Sequence, residues 1–447
     1  MANTSVPIFG WVDEPDGRGT WGILSTCLLT IILCCWTSVC PNIPAPSDGN
    51  FTRIRDKLHL ALMGVLGPEF LLMLTLGQWT SARASVKGIK ELGYSDWTMV
   101  HGFYADMGGF VLHGPGIKAP FPVDARQLLF LLQREYIEYP RIAKEDIDDR
   151  NKSDGFTRCI AVFQAVWMVI NCLTRVAQGL ALTTLELTTM SFILVFFVTS
   201  FCWYRKPQDI TTTVPIHTVV HIDQILAENG IYSPDLWYNT PLDFINGEIY
   251  FCERFWRYFT QILQQIHLPI FSRRVDARPY NRIPSDQFQF LDAPAETLGV
   301  PVIVFFGSIF MFAWHFDFPS VTELVLWRVA SIYTLVFTFL GGICAQYCHK
   351  VLFPQWEKQR RPNLLLSSLP RDDERNDSSL AARLRNIHQS KDPRLDIPLR
   401  AFIPVCILCA FYCVCRTYIL VEDFIGLRNL PDSAFQTVQW SDYVPHW

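Results

Sequence analysis

The sequence predicts an all-α integral membrane protein: a bundle of six transmembrane helices, seven if one broken segment also crosses, with amphipathic helices on the cytosolic side. Three observations predict it. Only 18% of the 447 residues are charged, where a soluble domain carries roughly a quarter. The apolar residues, half of the chain, gather in blocks of about twenty, the length a helix needs to cross ~30 Å of hydrocarbon. Lysine and arginine fall almost entirely on alternate connecting segments.

The six blocks run from Trp21 to Cys40, Phe156 to Ala177, Leu180 to Trp203, Leu298 to His315, Leu324 to Tyr347 and Ala401 to Val421. The first is a retained anchor rather than a signal peptide, because Met1 to Thr20 has no basic start and sets Asp13, Glu14 and Asp16 against Arg18 alone. With residues 1–20 lumenal, alternation makes 41–155, 204–297 and 348–400 cytosolic and returns the tail 422–447 to the lumen. The three cytosolic segments hold 13, 8 and 11 basic residues, and the lumenal ones hold two, Arg18 and Arg428. Long loops weigh little in orientation, but Arg205, Lys206, Lys350, Lys391, Arg394 and Arg400, close to span ends, agree with a positive inside. The endoplasmic reticulum or another endomembrane is the expected location.

One apolar segment, 58–79, is long enough to cross but carries Gly67, Pro68 and Glu69 at its middle. Proline removes a helix bond there and a carboxylate is costly in lipid. A broken interfacial or re-entrant hairpin is therefore expected, because a crossing would move every later basic segment to the other side. Leu128, Leu131 and Leu132 recur at helical spacing beside charges, predicting a helix that lies on the membrane surface or covers the bundle. A second amphipathic helix is expected near 245–266. From 357 to 396 the chain turns polar and charged and reads as a disordered connector. Of the sequons at Asn3, Asn50, Asn151 and Asn376, only Asn3 faces the lumen and is expected to carry glycan. Most of the 14 cysteines fall in apolar blocks and read as small buried residues. A thiol metal site on the last span, at Cys406, Cys409 and Cys413, is the minor alternative.

Polar residues inside the blocks are the candidate site. Gln164, Asn171, Arg175 and Gln178 share one helical face, and Glu186 begins the next span at a depth similar to Arg175. Arg175 and Glu186 are expected to pair across the hairpin. Arg175, Gln178 and Glu186, with His315, Asp317 and Glu323 around the next lumenal turn, form the expected substrate-binding set. Arg328, Arg416, Glu422 and Asp423 lie at the same level. The His315, Asp317, Glu323 spacing matches no metal motif, so no metal is assigned. On the cytosolic side, Glu145, Asp146, Asp148, Asp149 and Asp154 crowd together before a span. Such carboxylates can hold Mg²⁺ and a diphosphate, which makes Asp148 and Asp149 catalytic candidates, although a solvated acidic helix start is the better explanation of the run. His101 and Asp106, near the Gly108 and Gly109 turn, are a candidate acid and base. The chain has no nucleotide-binding, zinc-protease, kinase or serine-hydrolase motif, no nucleic-acid footprint, no nameable cofactor, and no inverted pair of broken helices of the kind secondary transporters use.

The phrases "CPNIP", "HGFYADMGGF", "DIDDRNKSD", "TLELTT", "YRKPQDI", "VEDFIGLRNLPDSAF" and "WSDYVPHW" resemble a large group of uncharacterised multi-pass membrane proteins of filamentous fungi, over most of the chain outside the polar connector. Some members lie beside secondary-metabolite genes. The resemblance implies a role in making or moving a lipophilic product and carries over no catalytic residue. The expectation is a membrane-embedded enzyme or accessory factor acting on an isoprenoid-like metabolite, with a non-enzymatic transporter, receptor or scaffold as the alternative. The expected partners are the bilayer and that lipophilic molecule.

Overall fold

Six helices long and apolar enough to cross a membrane form the body of the computed structural model, which describes residues 7–13, 17–151, 155–231, 237–247, 249–268, 270–356, 358 and 392–440. They are α1 (Thr20–Ser38), α7 (Gly155–Ala177), α8 (Thr184–Cys202), α11 (Ala293–Ser308, extended to His315 by a 3-10 turn), α12 (Val321–Tyr347) and α13 (Leu399–Ile425). Five start or end within a few residues of the predicted blocks; the sixth, α12, gains a π turn that carries its helical path to Trp356. The starts are capped by their own sequence. Thr183 caps α8 in a reciprocal box with Glu186, and Asp292 and Ser320 accept the Ala295 and Glu323 N–H groups at the heads of α11 and α12.

Every segment predicted to be lumenal meets at one end of this bundle. Strand β1 (Pro7–Phe9) pairs antiparallel with β5 (Asn429–Pro431), beyond α13. Arg18 pairs with Glu186, Arg428 with Glu323, and Gln178 exchanges two hydrogen bonds with the Gln439 backbone. Arg175, 1% exposed, donates to the carbonyls of Ala181, Ser433, Ala434 and Gln436 at 2.8–3.3 Å. The expected Arg175–Glu186 ion pair is therefore corrected: carbonyls of the tail satisfy Arg175, and an arginine from the N-terminal segment takes Glu186.

The segments between spans assemble at the other end into a cap with its own core. It contains α4 (Met99–Asp106), β2 (Phe110–His113), β3 (Phe121–Val123), α5 (Ala125–Gln133), α6 (Lys144–Arg150), β4 (Val214–His217) and α9 (Ile222–Glu228). The sheet order is β3-β2-β4, and β2 with β4 is parallel, so it joins two segments separated by a transmembrane hairpin. Trp97, Tyr104, Phe110, Phe121, Leu128, Leu131, Ile216 and Ile225 fill its core. Two expectations change here. The chain is not purely helical, because strands of three and four residues were too short to show a period in sequence. The leucine face of α5 packs into the cap rather than onto lipid. The second amphipathic helix is α10 (Phe251–Gln265). Lys206, read from the sequence as an orienting cation, is buried and ties three elements by donating to the Cys40 carbonyl, Asn42 Oδ1 and Gln78 Oε1 at 2.7, 3.3 and 2.8 Å; burial pulls its ammonium down to about 8. Most of the polar connector, 359–391, and the Asn3 and Asn376 sequons lie outside the described residues.

The interrupted segment forms α2 (Asn50–Leu66) and α3 (Pro68–Glu91), which meet at a 120° bend on Gly67. Pro68 begins α3, where its missing N–H costs nothing. Both outer ends of the pair are held at the cap: Arg273 bridges Asp48 and Asp56 near the start of α2, and Arg83 of α3 pairs with Asp292. The bend itself reaches Tyr412, midway along α13, whose hydroxyl donates to Glu69.

Replacing Arg175 by Met leaves four carbonyls without their donor. It is expected to lower stability by about 3–5 kcal/mol and to expose 429–440 to protease, as read by thermal unfolding in detergent and limited proteolysis; an unchanged midpoint would show that the guanidinium does not hold the tail.

Candidate functional site

The candidates predicted to be cytosolic serve the cap. Asp148 pairs with Lys144 one turn earlier at 3.2 Å, and Asp149 is exposed on the same seven-residue helix α6. Asp154 lies outside the described residues. His101 is buried with both ring nitrogens engaged: Nδ1 accepts from the Thr98 backbone N–H at 3.2 Å and lies 2.8 Å from its hydroxyl, and Nε2 lies 3.0 Å from the Ile142 carbonyl. With Nδ1 accepting, the ring proton sits on Nε2, facing the Ile142 carbonyl. Asp106 accepts from the Ala125 N–H at 3.1 Å, pinning α5 to α4, and does not hydrogen-bond to His101. Burial, with Asp124 beside it, pushes the Asp106 carboxyl up to about 7. The Gly108 turn is present, with φ +84°.

The expected substrate-binding set is not one pocket. Arg175, Gln178 and Glu186 hold the terminal segments, Glu323 holds Arg428, and His315 and Asp317 stand exposed at the turn before α12. Among the described residues no group of three or more His, Cys, Asp or Glu side chains is placed to hold a metal ion, and all fourteen cysteines are free.

A different cluster lies inside the bundle. On α13, Tyr412, Arg416, Ile419 and Asp423 are buried at spacings of four, three and four, one continuous helical face. Residues on the other faces, including Ile403, Ile407, Phe411 and Val414, are exposed and apolar. Arg416, 2% exposed, places its guanidinium carbon 5.2 Å from the ring centres of both Phe306 and Phe310 and 5.6 Å from that of Phe192. None of its three nitrogens has a hydrogen-bond partner in the protein. Glu69, at the α2–α3 bend, and Asp423 lie within its electrostatic reach, yet neither forms an ion pair with it. Glu69 Oε2 is likewise buried without a partner, whereas Asp423 has the Thr188 and Thr184 hydroxyls beside it. Towards the tail end, the Tyr418 hydroxyl donates to the Glu323 carbonyl at 2.9 Å and lies 3.2 Å from a Glu422 carboxylate oxygen.

A guanidinium offers five N–H groups in a planar fork that matches a carboxylate or phosphate. A buried charge without a partner costs several kcal/mol. Here the cation sits among apolar rings, so the arrangement is a poor structural device and a suitable receiver for an oxygen acid attached to an apolar body. The sequence already signals it through the Tyr412 to Asp423 periodicity, which the apolar background of the last span obscures. Glu69 shows in sequence only as an interruption of its apolar segment; the fold brings it to α13.

Residues 1–228 and 302–447 match the model of a family of unknown function, DUF8562. The chain belongs to this family. The match takes in α13, the α2–α3 bend and all three phenylalanines around Arg416. No curated protein and no solved structure matches the chain.

Two variants separate the cap from the bundle. The folded Asp106 carboxyl titrates at about 7, above the ordinary 3.8 of an aspartate, so wild type loses stability as pH rises from about 4 to about 7 and no further above it. Asp106→Asn, which keeps the acceptor for Ala125, is expected to remove that loss and gain roughly 4 kcal/mol over wild type above pH 7, measured by thermal unfolding against pH; parallel wild-type and variant profiles would contradict it. Arg416→Met removes an unpaired buried charge and is expected to stabilise ligand-free protein by about 1–4 kcal/mol, read as a higher unfolding midpoint. A fall would show that Arg416 is a structural tie.

Proposed function

We propose that the chain is a multi-pass membrane protein that binds a lipophilic small molecule with an oxygen-acid head inside its helical bundle, as a carrier or receptor rather than as an enzyme. The observation that carries this reading is the buried Arg416 guanidinium, ringed by Phe192, Phe306 and Phe310 and left without a protein acceptor. The fork would hold the acid and the rings the apolar body. The diphosphate-enzyme reading has less support, because Asp148 and Asp149 lie on an exposed short helix and His101 and Asp106 are engaged in holding the cap together. A product of secondary metabolism, the class the fungal resemblance implies, has the required lipophilic character.

In this reading the six long helices cross an endomembrane, the cap and its basic residues face the cytosol, and the end where the two termini meet faces the lumen. The α2–α3 pair enters from the cytosolic side and returns to it. Asn3, on the lumenal segment, is the glycan acceptor.

Purified wild-type protein, extracted into organic solvent and analysed by mass spectrometry, is expected to release an acid-bearing apolar molecule that Arg416→Met lacks by about tenfold or more, the equivalent of one charge-assisted hydrogen bond. A Glu145→Gln surface variant should release as much as wild type. Identical extracts from wild type and the Arg416 variant would overturn the proposal.

A further inference from the structure

We infer a second binding site, for the headgroup and upper acyl chain of an anionic phospholipid, in a cleft where α8 leaves the bundle and the cap begins. The cleft holds about 440 Å³ and is walled by Trp79 of α3, Met99 of α4, Phe197 and Phe201 of α8, and Tyr204 and Arg205 just beyond it. Nothing about it depends on Arg416, but it does rest on the membrane placement proposed above.

The position follows from the sequence "FFVTSFCWYRKP". Phe197 and Phe201 lie one turn apart on α8, so they form one apolar wall. Tyr204 and Arg205 follow where the helix ends, at the depth where a bilayer passes from hydrocarbon to headgroups and where aromatic rings collect. Phe201 is 64% exposed and Tyr204 is 72% exposed, a large apolar surface to leave open beside a cation.

The charges decide the occupant. Three cations stand near this corner, and two are already used. Arg83 lies over the Trp79 ring at 4.2 Å and is neutralised by Asp292. Lys206 is buried and points to Cys40, Asn42 and Gln78. Arg205 is exposed, lies over the Tyr204 ring at 5.5 Å, and has no acidic partner among the described residues. A planar fork at the mouth of an aromatic cleft suits a phosphate oxygen pair above and methylene groups below. The volume falls within the roughly 300–1,000 Å³ of small-molecule sites, which admits a headgroup, its glycerol and the start of one chain while the remaining chain stays in the bilayer. The cytosolic leaflet, which the cap faces, is the one that carries most anionic lipid.

The test uses full-length protein in neutral detergent, incubated with an equimolar mixture of phosphatidylglycerol and phosphatidylcholine and read by native mass spectrometry. Wild type is expected to retain phosphatidylglycerol over phosphatidylcholine by about tenfold, and Arg205→Glu to lose that preference while eluting as wild type on size exclusion. Arg205→Gln, a milder change, is expected to lose it too, and excess inorganic phosphate is expected to leave the bound lipid in place. Equal retention of the two lipids by wild type, an undiminished preference in either variant, or displacement by phosphate alone would overturn the site. A chain that stays monodisperse without detergent and binds neither lipid would overturn the membrane placement instead.

Discussion

An ionisable side chain inside a bilayer must turn inward and find company within the protein, and most of this architecture follows from that constraint. Glu69 is the clearest case. A carboxylate in the middle of an apolar segment needs a place inside the protein, and the proline before it interrupts the helix at that point. The chain bends by 120° at Gly67 and brings the acid to Tyr412, at the centre of α13. Both outer ends of the bent pair are tied on the cap side, and the two described terminal segments meet at the opposite end of the bundle. The β1–β5 pairing and the cluster of arginines and carboxylates around it lie at that end.

Two buried arginines show how the same side chain can serve opposite ends. Arg175 is surrounded by carbonyls of a turn and of the tail, each a full acceptor, so its charge is spread over hydrogen bonds and the result is a rigid closure. Arg416 is equally buried but meets aromatic faces, whose attraction for a cation is a few kcal/mol at most. Glu69 and Asp423 are close enough to influence it and too far to bond with it. Burial alone therefore does not identify a functional cation; the count of satisfied donors does.

Much of the bundle was legible in the sequence because the thickness of hydrocarbon sets a length for each apolar run. The break at Gly67, Pro68 and Glu69 was legible as an interruption of one such run. The cap was not. Its sheet joins Phe110–His113 to Val214–His217 across about a hundred residues, and strands of three or four residues leave no usable period. The polar face of α7 was visible, but its partner was misjudged: Glu186 has the right depth for Arg175, yet the N-terminal Arg18 and the tail carbonyls are neighbours only after the bundle closes. His101, Asp106, Asp148 and Asp149 drew attention because those residue types do chemistry. In the fold two of them cap and pin helices and two face solvent. For Arg416 the signal was present as a helical repeat of Tyr412, Ile419 and Asp423, and its weight came from the three phenylalanines contributed by other helices.

The whole fold turns on the entry and exit of the helix pair around Gly67 on one side of the bundle. The most direct measurement is the labelling of single cysteines at positions 48, 92 and 439, in protein otherwise free of cysteine, by a membrane-impermeant maleimide in oriented vesicles. Positions 48 and 92 are predicted to react from the same side and position 439 from the opposite one. Reaction of 48 and 92 from opposite sides would make the pair a seventh crossing and contradict the account.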